Sequence, residues 1–286
     1  MARYDFSKVR ALIGEQSPIL RKGIRHALFT IGFREIIDSP SFVDIHRHLD
    51  TQVFDLLVLN SEIESNDTTF LIREVRRSKM HKDPFLVVLL VVTRADEPHI
   101  KLAINSGADD ILLVPFSPDQ LMQRLGIVHE RRKPFIVTHD YIGPDRRRNV
   151  RPGEKSAATF SVPNPYMARS SGVPHERYQA QLQLAQSTIG KARVASLAKA
   201  AEWEMRNICA QSREGTLPED MVTRMYRLEE FCDELIDRLS GRDDIGSVEA
   251  LRGQCRTVKN APTAATFAVL TEIHDKTKRV VGAFAG

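Results

Sequence analysis

The sequence of 286 residues lacks several features that define other classes of protein. No run of about 18 apolar residues occurs, which excludes a transmembrane helix and a role in the membrane. The first residues contain no apolar signal core, so we expect the protein to stay in the cytoplasm. Only three cysteines are present, and none forms a CxxC pair, which excludes a disulfide framework and fits a reducing compartment.

The chain also has little net charge, formally +4, and its basic excess is confined to one segment. Residues 129–175 carry nine basic and four acidic groups, a net charge of +5, whereas residues 176–286 carry sixteen of each. A phosphate-binding function spread over the whole chain is therefore not expected. Any contact with phosphate groups would belong to the middle segment.

Short apolar runs alternate with amphipathic stretches over the first 130 residues. The runs that fit buried strands are residues 11–14, 35–38, 54–59, 85–92 and 110–114, and helices fit near 41–50, 66–79, 97–106 and 118–130. Continuous apolar strands separated by helices indicate a parallel sheet covered on both faces. The pattern predicts a doubly wound α/β domain with five strands, whose chemistry would lie at the carboxyl ends of the strands.

Four short motifs near these strand ends occur in the order and spacing of a known family. They are the polar loop and helix start at 15–23, the strand end at 55–60, the Ala-x-x-x-Gly-Ala pattern at 103–108, and Val-Pro-Phe at 114–116. Over residues 9–130 the sequence resembles the receiver domain of bacterial two-component response regulators. The resemblance implies a flavodoxin-like fold, a cis bond before Pro115 and a place within or beside a phosphorelay.

The residues that would carry phosphoryl transfer in that family are largely replaced here. By resemblance, Asn60 stands in the place of the aspartate nucleophile, Glu15 and Gln16 in that of the acidic pair, and Val114 in that of the lysine. Only Thr93 keeps the family's hydroxyl group. An amide is a poor nucleophile, and one remaining carboxylate is a weak ligand set for Mg²⁺. We therefore predict a pseudo-receiver without phosphorylation, enzymatic activity, bound metal or other cofactor.

The middle segment, residues 131–175, is rich in proline, glycine, serine and arginine, a composition typical of a linker. Apolar and aromatic residues between Pro134 and Arg148 leave a second interpretation open, an extended arm that docks on a domain or a partner. Its arginines would suit the phosphates of a nucleotide or a nucleic acid. These arginines are Arg146, Arg147, Arg148 and Arg151.

Strand patterns are absent from the C-terminal region, residues 176–286, where good helix formers dominate. Apolar side chains in the second predicted helix repeat with steps of four and three, as in a heptad seam. They are Met221, Met225, Leu228, Cys232, Leu235 and Leu239. The region predicts a helical bundle or effector region, and the seam is either an intramolecular core or the interface of a homodimer.

Together these patterns predict a bacterial signalling protein with a receiver-like domain at residues 1–130, a linker or docking arm at 131–175 and helices at 176–286. We expect it to bind a signalling partner, not identified by the sequence, without phosphorylation. The resemblance implies a partner surface near residues 94–105 and 111–127. Two alternatives remain, a nucleotide or nucleic-acid sensor that uses the arm, and an active member of a phosphorelay.

Overall fold

In the computed structural model the chain divides into two compact units, residues 1–186 and 187–286. The structure describes residues 4–147, 158–212, 217–240, 245–262 and 265–284. The boundary between these units lies inside a long helix, His175–Gln211. No helix in the described ranges is both long and apolar enough to cross a bilayer.

The first unit is built around a parallel five-stranded sheet in the order β2-β1-β3-β6-β7. Its strands are β1 (Arg10–Gly14), β2 (Glu35–Ser39), β3 (Leu56–Asn60), β6 (Val87–Val92) and β7 (Asp110–Leu113). The helices that cover it are α1 (Pro18–Ile31), α2 (Phe42–Thr51), α3 (Thr69–Arg76), α4 (Glu97–Asn105) and α5 (Pro118–Glu130). The predicted doubly wound α/β fold is confirmed.

The sheet is buried because two apolar clusters cover its faces. Every residue of β3 and of β6 is buried, which explains why these strands are continuous apolar runs in the sequence. Polar side chains fix where the helices begin. Ser17 accepts a hydrogen bond from the Leu20 amide at the start of α1, and Ser117 forms a capping box with Gln120 at the start of α5.

The predicted helix at 66–79 is shorter in the structure, because a hairpin occupies the preceding residues. The hairpin pairs β4 (Glu62–Ile63) with β5 (Asn66–Asp67). Its turn residues, Glu64 and Ser65, have φ angles of 52° and 62°, the left-handed conformation that a tight two-residue turn requires. α3 therefore begins only at Thr69.

The described part of the middle segment is folded onto the first unit and is not a free tether. It contains β8 (Phe135–Val137), β9 (Ile142–Pro144) and β10 (Thr159–Phe160), which form a separate sheet, and α6 (Pro165–Ser170). Phe135 is fully buried and Tyr166 is 1% exposed. Of the two interpretations of this segment, a linker and a docking arm, the described residues fit the docking arm.

The second unit consists of the C-terminal part of α7 (His175–Gln211) with α8 (Met221–Leu239), α9 (Ile245–Asn260) and α10 (Phe267–Phe284). Ion pairs between neighbouring helices show an antiparallel arrangement of α7 and α8, with Arg193 paired to Glu234 and Glu204 to Arg227. The heptad seam of α8 is buried in the core that these helices share. Within the described residues the seam therefore has the intramolecular role.

Candidate functional site at the carboxyl ends of the strands

The side chains of Glu15 and Asn60 meet at the carboxyl ends of β1 and β3. Both are buried, with 1% and 3% of their surface exposed. The Asn60 amide nitrogen donates a hydrogen bond to Glu15 Oε2 over 2.7 Å. The other carboxylate oxygen of Glu15 accepts a hydrogen bond from the Ser17 backbone amide at 2.8 Å. The buried carboxylate is thus satisfied by neutral donors.

The orientation of the Asn60 amide follows from both of its partners. Its oxygen accepts a hydrogen bond from the Glu62 backbone amide at 3.1 Å, while its nitrogen faces the carboxylate of Glu15. Reversing the amide would place two donors together at Glu62 and two acceptors together at Glu15, which is unfavourable at both contacts. A hydrogen-bond donor therefore points to where the receiver family would need a metal ligand.

The donor set does not fit the Mg²⁺ ion that the receiver family implies. Mg²⁺ requires near-octahedral oxygen ligands, usually with one or two carboxylates. Among the residues that the structure describes, the one carboxylate bonded to the Asn60 side chain is that of Glu15, and the Gln16 side-chain oxygen already accepts a hydrogen bond from the Glu64 amide at 3.0 Å. No cluster of metal-ligating side chains occurs in the part of the chain that the structure describes.

The hairpin β4–β5 contacts two neighbouring segments beside this site, the loop after β1 and the first residue of α2. In addition to the bond from its amide to Gln16, Glu64 uses its carboxylate to accept a hydrogen bond from the Phe42 backbone amide at 3.1 Å. Phe42 is the first residue of α2, and the N-cap residue Ser41 makes no side-chain capping bond. Glu64 therefore takes over the capping role and fixes the hairpin beside the site.

The remaining site residues predicted from sequence lie at strand ends but do not complete a phosphate site. Thr93 directly follows β6 and its side chain is exposed. Val114 is partly buried and packs against the apolar cluster on one face of the sheet. The bond between Val114 and Pro115 is cis, which confirms the expectation from the resemblance. An apolar side chain held in the core cannot pair with an anion.

A cavity of about 250 Å³ opens between the hairpin and α4. Its lining includes Arg94, Glu62 and Asp67. Arg94 lies 3.9 Å from the Glu62 carboxylate and 3.7 Å from that of Asp96, which is outside the lining. The positive charge of Arg94 is balanced locally by these carboxylates, so the cavity is not an anion site.

The arginines proposed for phosphate binding are largely occupied by contacts within the first unit. Arg146 donates a hydrogen bond to the carbonyl oxygen of Ala108 at 2.7 Å. Arg147 pairs with the adjacent carboxylate of Asp145, also at 2.7 Å. Arg148 and Arg151 lie outside the described residues. The alternative function of a nucleotide or nucleic-acid sensor thus gains no support from the arrangement of the arm.

Sequence reasoning missed Glu64 and a buried charge cluster at the opposite end of the sheet, formed by Arg76, Asp109 and Arg132. The hairpin left a weak signal, because Ser65-Asn66-Asp67 is a run of turn-forming residues. The charge cluster left no signal in the sequence, since its members come from three distant segments and each resembles an ordinary surface charge. Only their burial identifies them.

Comparison with known proteins places the similarity in the N-terminal part of the chain. The phosphate regulon transcriptional regulatory protein PhoB of Escherichia coli is 25% identical over 128 residues, which are 45% of this chain and 55% of that protein. The chemotaxis protein CheY1 of Helicobacter pylori is 19% identical over 121 residues, 42% of this chain and 96% of that protein. The chain thus spans about half the length of PhoB. No protein-family model matches it.

Solved structures with similarity to the chain include a CheY-like receiver domain from Methanospirillum hungatei, with 17% identity, a TM-score of 0.37, and coverage of 41% of this chain and 90% of that one. Another is a receiver domain from Francisella, with 19% identity and a TM-score of 0.38. The match covers 43% of this chain and 98% of that one. Over about 120–130 residues the chain is thus similar to response-regulator proteins, and its first unit has the five-stranded parallel sheet described above.

Proposed function

We propose that this protein is a cytoplasmic, response-regulator-like signalling protein that works by protein–protein interaction without being phosphorylated and without catalysis. One observation carries the proposal. The Asn60 amide donates to the buried Glu15 carboxylate at 2.7 Å, in the place where a phosphorylated receiver would need a nucleophile and a metal. An amide nitrogen that is bound to a carboxylate neither attacks phosphorus nor coordinates Mg²⁺.

The partner surface expected from the resemblance is consistent with this function. On α4, β7 and α5 the side chains of Leu102, Leu113 and Ile127 are 44%, 45% and 44% exposed. Exposed apolar side chains that share a surface with charged groups are typical of protein contacts. By resemblance the partner is another signalling protein, such as a histidine kinase, and the helical second unit would provide the output.

The experiment that tests the proposal is intact-mass spectrometry of the full chain after incubation with Mg²⁺ and a small-molecule phosphodonor. An active receiver domain treated in parallel serves as the positive control. We expect no phosphate adduct on this protein under conditions that modify the control. An adduct would mean that another residue acts as the nucleophile, and phosphorylation-independent signalling would be wrong.

A double variant, Asn60→Asp with Val114→Lys, restores the aspartate and the lysine that the resemblance implies at these positions. It tests whether these two side chains alone account for the expected lack of phosphorylation. A phosphate adduct on this variant alone would show that the replaced side chains are sufficient to explain the inactivity. Absence of an adduct on both proteins would show that further features, the unrestored Gln16 or the hairpin and helices around the site, also prevent the reaction. Both results agree with the proposal, which depends on the unmodified chain.

A further inference from the structure

We propose that the hairpin of β8 and β9 is a built-in clamp that fixes the turn between α4 and β7 and so holds the α4–β7–α5 surface in one arrangement. The inference rests on the proposed function, because it explains how that surface would keep one form without a phosphoryl group. A receiver that is switched by a ligand needs an element with two alternative positions. The clamp would remove the second position.

The helix α4 is the element that most needs an external restraint. Among its residues only Ala103 is buried, with Ile100 partly buried beside it. α5 in contrast buries four residues. An element with few buried apolar contacts opens at a low free-energy cost, so the position of α4 depends on how its two ends are held. Asp96 caps its first turn, and the turn 106–109 follows its last residue.

The hairpin approaches that turn backbone to backbone. A Cβ atom added at Gly143 of β9 would lie 2.7 Å from the Cα atom of Gly107, and one added at Gly107 would lie 2.6 Å from the carbonyl oxygen of Ile142. Gly107 also has a φ of +89°, which a side chain would strain. Two glycines therefore permit an approach that any other pair of residues would prevent.

Arginine side chains bind the carbonyl and carboxylate oxygens of the turn 106–109. Arg76 donates to the carbonyl oxygen of Gly107 at 2.9 Å, and Arg146 donates to that of Ala108 at 2.7 Å. The Asp109 carboxylate, at the end of the turn, pairs with Arg76 at 3.0 Å and with Arg132 at 2.7 Å. The carbonyls and the carboxylate of the turn are thus held by one arginine from α3, Arg76, and by two from the arm, Arg132 and Arg146.

Phe135 of β8 joins the arginines to the hairpin. The guanidinium carbons of Arg76 and Arg132 lie 5.2 and 5.1 Å from the centre of its ring, and the ring is fully buried. Cation–π contacts between desolvated groups are stronger than those at a surface. Burial lowers the pKa of Arg76 to about 10, which leaves the guanidinium charged at neutral pH. Displacing the hairpin would therefore expose the ring and weaken the restraint on the turn.

The test compares Gly143→Ala with the matched control Gly126→Ala by hydrogen–deuterium exchange of the full chain. A methyl group at Gly126, on α5, meets no other atom within 4 Å, whereas at Gly143 it would lie 2.7 Å from the Gly107 Cα atom and 2.6 Å from the hydroxyl oxygen of Tyr141 in the same hairpin. We expect exchange across residues 97–109 to accelerate about tenfold in the first variant, the equivalent of about 1.4 kcal/mol. Exchange in β1 and β3, and throughout the control, should stay unchanged.

Two results would overturn the clamp. One is faster exchange at residues 135–144 with α4 unchanged, which would make the hairpin a passive cover. The other is uniformly faster exchange in every segment, which would show loss of global stability only. If Gly143→Ala does not fold, Arg146→Met replaces it, with an expected acceleration of about threefold over the same residues because one turn bond is lost. The phosphodonor assay on the unmodified chain tests the proposed function separately.

Discussion

At the carboxyl end of the parallel sheet the buried carboxylate of Glu15 is bound by the neutral amide of Asn60, whereas at the amino end the buried carboxylate of Asp109 pairs with two guanidinium groups. The first arrangement satisfies its carboxylate with two neutral donors, the Asn60 amide and the Ser17 backbone amide. The second connects the arm to the sheet. The contrast shows that the two ends of the sheet satisfy a buried carboxylate in different ways, with a neutral amide at one end and with charged partners at the other.

The largest effect is expected from removing the shared carboxylate at the amino end. Asp109→Ala leaves Arg76 and Arg132 buried without their counter-ion, which should reduce the free energy of unfolding by about 3–5 kcal/mol. Urea unfolding followed by circular dichroism measures the change. Asp110→Asn is the matched control, because Asp110 pairs with a half-exposed arginine and should cost about 1 kcal/mol or less. Equal losses in the two variants would contradict the comparison.

At the carboxyl end, Asn60→Asp should destabilise the first unit by about 1–3 kcal/mol at neutral pH, because it places two carboxyl groups 2.7 Å apart in a buried site. Repulsion raises the pKa of the added carboxyl, so the deficit should grow as pH rises through that pKa and shrink in acid. Millimolar Mg²⁺ should stabilise this variant more than the original chain. Urea unfolding at several pH values tests both effects.

The control for the change of amide to acid is Asn105→Asp, on the exposed end of α4. The new charge there is hydrated, and we expect neither a pH-dependent deficit nor a response to Mg²⁺. If both variants lose the same free energy at every pH, the buried pair of Glu15 and Asn60 does not behave as a desolvated site.

A smaller, pH-dependent effect is expected at Asp55, which precedes β3 at the amino end. Burial raises the pKa of Asp55, although the bond from the Arg10 amide and the charge of Arg169 oppose the shift. A folded-state pKa above the ordinary value of 3.8 means that this group stabilises the fold in acid and loses that contribution as pH rises through the folded pKa.

Asp55→Asn removes the titration and keeps an acceptor for the Arg10 amide. The free energy of unfolding of the variant relative to the original chain should therefore increase as pH rises above 3.8. Urea unfolding at matched pH values measures the difference. A difference that stays constant, or that falls with rising pH, would show that the pairing with Arg169 outweighs burial.

The smallest effect is expected at Thr93. Its side chain is exposed after β6, so Thr93→Ala should change the free energy of unfolding by no more than about 0.5 kcal/mol. Thermal unfolding of the full chain is a sufficient measurement. A loss above this size would mean that the retained hydroxyl supports the site in a way that exposure does not show.

The strands and helices of the first unit follow closely from periodicity, because β3 and β6 are buried on both faces and must be apolar at every position. The helices of the second unit follow for a similar reason, since the spacing of apolar residues on α8 matches its buried face. Element ends were less predictable. The hairpin before α3 depends on left-handed residues, Glu64 and Ser65, that carry no glycine signal.

That Glu15 and Asn60 lie close together was also predictable, since both lie at strand ends that a parallel sheet brings together. Their hydrogen bond was not. Whether the side-chain amide of Asn60 turns its nitrogen or its oxygen to the carboxylate depends on its second partner. That partner is the Glu62 backbone amide, whose position the sequence does not reveal. The role of Arg146 was unpredictable for the same reason, because its acceptor is a backbone carbonyl 38 positions away.

The sequence by itself determined the doubly wound domain, the helical C-terminal region and the neutral amide of Asn60 at the end of a buried strand, because side-chain periodicity and residue chemistry are local properties of the chain. Tertiary structure alone decided that the middle segment docks, that Arg76 and Arg132 share the carboxylate of Asp109, and that Gly143 meets Gly107. These contacts join distant segments. Their energies depend on burial, which exists only after the chain has folded.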